Sequence, residues 1–540
     1  MSFEARLCRE IVEEDFGPFT SKVVSQLLLK GRLGLGDIVR FTKLTQRQVR
    51  ESLVVLIHHA LVHFTEPEEG VREPTFYQAD PQSIMMRLRI GPIMRVTEEQ
   101  YGKEALNIIK LIFTNGRMRL PAIHQWVSDF DSKPKTKKST YTTAFKRLAM
   151  AGLITALLPE HSRSSTDRLL IAQEKEAQKY TITTAKDMKA IKLAAQAQID
   201  AEFSMTEGIG MKRKAVDALA GEEKRMAVGK EDDVDHFDID NTVYFAINYE
   251  KYNMIFRNNT IVDFATERIN RTAGQIVKAF LEHGKNKMKM IKEDDSPSAS
   301  PMHIVNLVPS EILTQGDIVL QPDPTDPDKK PSYQEVVRGY LALLKTDQGG
   351  FIKSKDEMGA NQFAVNFAKL RNTMRRRVFE GLLRDKYGVA TCRIVRILLD
   401  KGKLEESQVQ KLAMLPAKET REKLGLLNSK GIVEIQEVPK SADRAPARTI
   451  YLWYVPLEKC YQELLMDVYR AIGNLQQRKQ EELKIRHRLV EKLSRRDVIE
   501  NMDLLSDGDK AEMAQMKKVL ERLEVSKMRL DQIVMIFRDF

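Results

Sequence analysis

The sequence predicts a mainly α-helical chain with small β-hairpin wings: winged-helix domains in tandem, then an antiparallel coiled-coil hairpin at the C-terminal end. Three observations predict it. The order helix, short helix, turn, helix, strand, strand recurs along the chain. A similar phrase joins helix to strand in the recurrences: Ala60-Leu61-Val62, Gly152-Leu153-Ile154 and Gly431-Ile432-Val433. Beyond Pro456 the apolar residues step by threes, fours and sevens, as in helices that pack along a seam.

In the first block, Leu7, Ile11, Val12, Val23, Val24, Leu27 and Leu28 give the segment Phe3–Lys30 helical spacing, and Gly31 and Gly34 end it. A short helix follows at Gly36–Phe41. The next is capped by Thr45 and runs through Val49, Leu53, Leu56 and Ile57 to Ala60. Strands Leu61–Thr65 and Thr75–Ala79 flank the loop Glu66–Pro74, the first wing. The second block reads as helices Lys103–Thr114, Arg119–Phe130 and Thr140–Ala151, then a strand Leu153–Leu158.

From Glu160 to about Asp235 the apolar pattern fades, and the segment reads as a flexible or partly helical insertion. Its Lys212-Arg213-Lys214 fits a nuclear address or a solvated basic triplet. Asn241–Phe256 reads as a buried strand or helix, and Ile261–His283 as one long helix. Lys285–Lys330, broken by prolines, reads as a linker within a third block. Tyr333–Leu344 and Asn361–Tyr387 complete that block with helices. In the fourth, helices Ala390–Lys401, Glu405–Ala413 and Ala417–Lys430 precede strands Ile432–Val438 and Thr449–Val455. The domains are therefore expected at 1–82, 83–160, 161–238 (the insertion), 239–388 (split by the linker 285–330), 389–456 and 457–540. In the last, Leu465, Val468, Ile472 and Leu475 face Leu523, Leu530 and Phe537 along a seam that also suits partner proteins. Ser506-Asp507-Gly508-Asp509 marks the turn between its helices.

Enzyme chemistry finds little support. Phosphate-loop and dinucleotide glycine motifs are absent, and Gly31–Gly36 joins two helices. His58, His59 and His63 form the only histidine cluster, and no acid-bearing HExxH accompanies them. Cys8, Cys392 and Cys460 are far apart and odd in number, so neither a disulfide framework nor a zinc knuckle is expected. No run of about 18 apolar residues exists to cross a membrane. The reading is no catalytic centre, no metal and no cofactor.

Basic residues carry more information than the modest net charge of +11. Gln46, Arg47 and Arg50 open the third helix of the first block, where groove contacts arise in such folds. Lys133, Lys135, Lys137, Lys138, Lys146 and Arg147 crowd the third helix of the second block, with no acid among them. Arg375, Arg376 and Arg377 are consecutive on a helix, and the fourth wing holds Lys440, Arg444 and Arg448. Such clusters suit phosphate contacts; a solvated face or a protein interface explains each of them equally well.

Ala413–Glu419, Val438-Pro439-Lys440 and Ala445–Trp453, with Leu7-Cys8, Val54–Val62, Tyr101-Gly102 and Asn115-Gly116-Arg117, resemble the TFIIE-alpha-related winged-helix subunits of RNA polymerase III. The resemblance implies several extended winged helices with a coiled coil, and a non-catalytic nuclear subunit. It implies docking on the clamp of the largest polymerase subunit beside two smaller subunits of an initiation subcomplex. It further implies work with a TFIIIB-type initiation factor on double- and single-stranded promoter DNA during transcription of small non-coding RNAs such as tRNA and 5S rRNA. Two rivals remain: a free-standing tandem winged-helix regulator, and a pure protein-docking scaffold.

Overall fold

Gly17-Pro18 divides the opening apolar segment into two helices. A computed structural model describes residues 2–65, 75–130, 134–179, 184–206, 210–213, 237–313, 318, 332–355, 361–439, 449–501 and 504–540. Within it, Phe3–Phe16 ends at Gly17, whose φ of 86° lies in the left-handed half of backbone space that glycine enters without a Cβ clash. Pro18 then starts the helix Pro18–Lys30 at the position where a missing N–H costs nothing. The two helices pack through Leu7, Ile11, Val23, Val24 and Leu27, all buried. The short helix Leu35–Thr42 follows. The fourth helix, Gln46–His58, which is the third of the winged-helix order, starts with a capping box in which Thr45 and Gln48 satisfy each other's backbone N–H.

The wing strands Val62–Thr65 and Phe76–Ala79 pair antiparallel, and Leu33–Gly34 joins as a third strand against Tyr77 and Phe76. The same third rung returns in every block. Met118 bridges to Phe245, Ala299 to Phe363 and Leu404 to Trp453. Each time, a residue in the connection between two helices reaches the second wing strand and ties helices to wing.

The second block differs from its sequence reading in one large respect. Helices Lys103–Asn115, Leu120–Phe130 and Pro134–Met150 appear in the expected order, the last starting earlier at a proline. The strand Ile154–Ala156 then pairs with Phe245–Ile247, far along the chain. The insertion is thus carried inside the second wing. Part of it is helical: Ser165–Ala177 and Ala185–Thr206 pack on each other, and Met211–Arg213 pairs with Phe237–Ile239. Two helices that the sequence reading did not include, Pro81–Met86 and Ile90–Tyr101, link the first block to the second.

The third block also departs from expectation. Tyr249–Arg268 and Arg271–His283 are separate helices, because the Asn270 side chain accepts from Ala273 N and caps the second. Part of the expected linker is core. Pro301–Leu307 and Ser310–Leu313 are helical, and Ile304, Val308 and Leu313 pack with Phe280, Tyr340 and Leu344. Its proline-rich part, 321–327, lies outside the described residues. Phe363–Val365 is a strand against Ile352–Ser354, and the helix Phe367–Tyr387 begins only after it, capped by Asn366. Arg257 is fully buried here, stacked 4.0 Å from the Phe367 ring centroid and donating to Ile291 O at 2.9 Å. Burial lowers its pKa to about 10, which leaves it charged.

The fourth block follows its pattern closely: helices Val389–Lys401, Glu406–Ala413 and Ala417–Ser429, then strands Glu434–Pro439 and Thr449–Tyr454 in antiparallel register from Glu434↔Tyr454 to Pro439↔Thr449. Leu457–Ile485 and Asp507–Val534 are the two long C-terminal helices. His487–Leu493 and Arg496–Glu500 are short helices between them. Ser506 does not turn the chain; its Oγ caps the second long helix by accepting from Asp509 N at 3.2 Å.

The chain forms two compact units. One comprises Met1–Asn253 and Gly473–Met528, the other Met254–Ile472 and Arg529–Phe540. In the first, Arg117 N donates to His58 O and its guanidinium to Ile57 O, while Gly116 lies against the His58 backbone. Arg87, buried, pairs with Asp15 and lies between the rings of Phe16 (4.6 Å) and Phe113 (4.0 Å). In the second, Met535, Ile536 and Phe540 enter the third block's core, and Phe537 the fourth's.

Candidate nucleic-acid interface

At the start of the helix Gln46–His58, Gln46, Arg47 and Arg50 are all exposed. Cations at a helix N-terminus oppose the macrodipole, so helix stability does not explain them. Arg47 Nε donates to Glu51 at 2.8 Å, and that hydrogen bond raises its pKa. This pair is fully solvated and contributes little to folding. Val54, 67% exposed, and Val55 continue the same outer face.

In the second block the cations divide. Lys133 lies outside the described residues, as do the side chains of Lys135 and Lys137, although both residues fall within the helix Pro134–Met150. Lys138 is partly exposed, beside His124, whose pKa is lowered by burial and then by that lysine. Lys146 is buried, with its ammonium 3.3 Å from Asp238 Oδ1. Its role there is to fasten a strand of the insertion to the third helix. Arg147 points outward.

The Arg375–Arg377 triplet divides as well. Arg375 Nε donates to Ile536 O at 3.0 Å, and burial lowers its pKa. Arg376 donates to Glu380 at 2.7 Å and to Asp400 at 2.6 Å. Burial pulls the Arg376 pKa down, but those two acceptors outweigh it and the net shift is upward. Arg377 pairs with Glu267 at 3.2 Å and covers the Phe264 ring at 5.0 Å. Arg376 and Arg377 line a cleft of about 920 Å³ with Arg268, Arg384 and Arg396, contributed by three different helices. Sequence reading missed Arg268 and Arg396 as members, since nothing local links them to the triplet. Lys440, Arg444 and Arg448 of the fourth wing lie outside the described residues.

Of the seam residues, Val468, Ile472 and Phe537 are buried, and Leu465, Leu475, Leu523 and Leu530 are partly so. Leu465 and Phe537 share the fourth block's core with Tyr461, whose ring is 5.1 Å from that of Phe537. In the first unit, ion pairs join the two long helices and their connection: Lys479–Glu524 at 2.8 Å, Arg486–Glu512 at 3.8 Å and Lys492–Asp509 at 2.9 Å. Their order is antiparallel. Lys479 also reaches Glu14 at 2.9 Å, and Gln477 donates to the buried Glu10 at 2.6 Å.

Among the described residues no group of His, Cys, Asp and Glu is placed to hold a metal ion, and no helix is long and apolar enough to cross a membrane. His59 lies against Phe16 and His63 is 3.7 Å from Asp80. All three cysteines are buried, and no disulfide joins them.

Three family models match in succession. Residues 6–67 match the RNA polymerase III subunit RPC82 helix-turn-helix domain. Residues 143–374 match RNA polymerase III subunit RPC82, and residues 379–455 match the POLR3C C-terminal winged-helix domain. The chain is 26% identical to the DNA-directed RNA polymerase III subunit RPC3 of Rattus norvegicus, over 99% of this chain and 98% of the relative. It is 24% identical to that of Danio rerio, with the same shares covered. With subunit RPC-3 of Coccidioides immitis it is also 24% identical, over the whole of both chains.

Proposed function

The chain belongs to the RPC82 family of winged-helix subunits of RNA polymerase III, and from that premise we propose that it docks on the polymerase clamp and supports promoter DNA through initiation. It is a non-catalytic subunit of that enzyme. The observation that carries the DNA reading is the exposure of Gln46, Arg47 and Arg50 at the start of a third helix, where they serve neither the core nor the helix. With Lys138, Arg147 and the wing lysines and arginines, they neutralise phosphates without close sequence reading. Lys146 and Arg375 act inside the fold instead.

In this reading the C-terminal helices form a coiled-coil hairpin that two smaller subunits and the clamp hold, and the exposed Ile485, Ile499 and Leu504 are its contact points. The protein works in the nucleus, with a TFIIIB-type factor, on double- and single-stranded promoter DNA at genes for small non-coding RNAs.

A docking role for the fourth block has its own support. Its third helix mixes Lys418, Arg421 and Lys423 with Glu419 and Glu422, and Met414, 86% exposed, stands beside the exposed Leu412. That surface suits protein more than phosphate. The test is affinity purification of the tagged chain from cells, with DNA crosslinking inside the assembled complex. Recovery of the polymerase with crosslinks to the first block is the expected result; recovery of the chain alone overturns the reading.

A further inference from the structure

We propose that the arginine-lined cleft of the second unit binds the phosphodiester backbone of a single nucleic-acid strand. This rests on the reading that the chain works beside promoter DNA, and gives that work a site of which the sequence showed only Arg376 and Arg377.

Thr373, Arg376, Arg377, Glu380, Gly381 and Arg384 follow one another at helical spacing along one face of Phe367–Tyr387. At about 1.5 Å per residue the row runs for about 16 Å. Arg268 and Arg396 approach from neighbouring helices. Five guanidinium groups thus face two carboxylates in the wall, Glu380 and Asp400.

The carboxylates position those groups. Glu380 accepts from Arg376 at 2.7 Å and from Arg396 at 2.6 Å, and so holds two cations side by side. Arg377 is braced by Glu267 and by the Phe264 ring, and Arg268 by Asp347 at 2.8 Å. Each brace uses one or two of the five N–H donors on a guanidinium, leaving the rest for a ligand. Forks held in place lose little freedom on binding phosphate.

Size and lining choose the ligand. A recess of about 920 Å³ is in the range that encloses a drug-sized molecule, such as one or two nucleotides, and a duplex does not enter it. Protein hot spots use arginine as well, but set it beside buried tryptophan and tyrosine in well-packed pockets. Here the one aromatic, Phe264, is already covered by Arg377. Gln348, Asn372 and Thr373 add neutral groups for phosphate and sugar oxygens. Nothing stands within 4 Å of a Cβ built on Gly381, so a strand can approach the helix backbone there.

The test uses the full chain and a labelled dT12 strand, with anisotropy titrations from about 50 to about 200 mM salt. Arg377→Gln with Arg384→Gln removes two cations that are 52% and 58% exposed, so folding is spared. Arg95→Gln, remote and 77% exposed, is the control. At about 0.7 per phosphate contact on a single strand, the salt slope should fall by about 1.4 in the double variant, with affinity down about 70-fold at the lower salt and about tenfold at the higher. Gly381→Leu fills the recess without changing charge, and should weaken binding at constant slope. A U12 series separates RNA from DNA as the source of the strand: the loss falls on whichever the cleft takes, and on both if only the backbone matters. Unchanged slope and affinity in the double variant overturn the proposal. So does an equal loss for a 12-base-pair duplex, or binding of an oligo-glutamate peptide that the double variant abolishes while dT12 binding stays intact. Recovery of polymerase with the double variant is measured separately, so failure at the cleft is distinct from failure of the subunit reading.

Discussion

Arg32, in the turn before the strand Leu33–Gly34, places its Nη1 2.8 Å from Oδ1 of Asp167 on the first helix of the insertion. The other oxygen of Asp167 accepts from Thr65 Oγ1 at 2.6 Å. One carboxylate thus joins the insertion to both edges of the first wing, although it is remote from them in sequence. Asp167→Ala leaves a half-buried hydroxyl and a partly exposed guanidinium without their acceptor, a loss of about 0.5–1.5 kcal/mol. Its expected expression is local: faster hydrogen exchange in Ser165–Ala177 and in the strand Val62–Thr65, with the fourth block unaffected. Unaltered exchange in both segments counts against the tether.

Acid should loosen the first unit through His59. Burial first, then the charges of Arg87 and His58, lower the pKa of His59 to about 4. A histidine depressed in the fold is neutral there and charged when unfolded. Its contribution is therefore complete above the ordinary value of about 6.5 and is lost as pH falls from there towards 4. Thermal unfolding across that window, with His59→Gln as reference, should show a shallower pH dependence in the variant. Identical slopes would contradict the assignment.

Gly116→Ala should destabilise the first unit by about 1–3 kcal/mol. The added methyl would lie 2.9 Å from the carbonyl oxygen of His58, and the backbone φ of 84° disfavours any Cβ. Chemical denaturation measures the loss. Gly381→Ala, mid-helix and in open space, is the control of opposite sign and should raise stability by about 0.5–1 kcal/mol.

Native thiols should resist alkylation. Burial raises the Cys460 thiol to about 12, with Glu463 and Glu434 adding to it, and burial raises Cys392 as well. Cys8 is fully buried. Because the thiolate is the reactive form, iodoacetamide at pH 8 should label none of them until denaturant is added. Labelling of Cys460 in the native protein would show that its helix leaves the fourth block's core.

The fourth block was legible almost to the residue. Its helices, capped turn and two strands are contiguous, and each is specified by neighbours in sequence. The second wing was not, because Ile154–Ala156 finds its partner at Phe245–Ile247, and no local period encodes so distant a pairing. Gly17-Pro18 was a readable stop that apolar spacing alone overran. The clusters of charge were visible as strings, yet their roles depended on what stood opposite. Lys146 meets Asp238, Arg375 meets a carbonyl, and Arg376 meets arginines from other helices. Arg47 and Arg50 alone could be placed on an outer surface from sequence, since a capped amphipathic helix defines its own exposed side.

The ladder that clasps Ile154–Ala156 to Phe245–Ile247 makes the second wing a place where length can change at small cost. Each doubling of a flexible loop adds only about 0.6 kcal/mol of closure entropy. An affinity handle spliced into the insertion 161–238 would therefore leave both clasped ends in register.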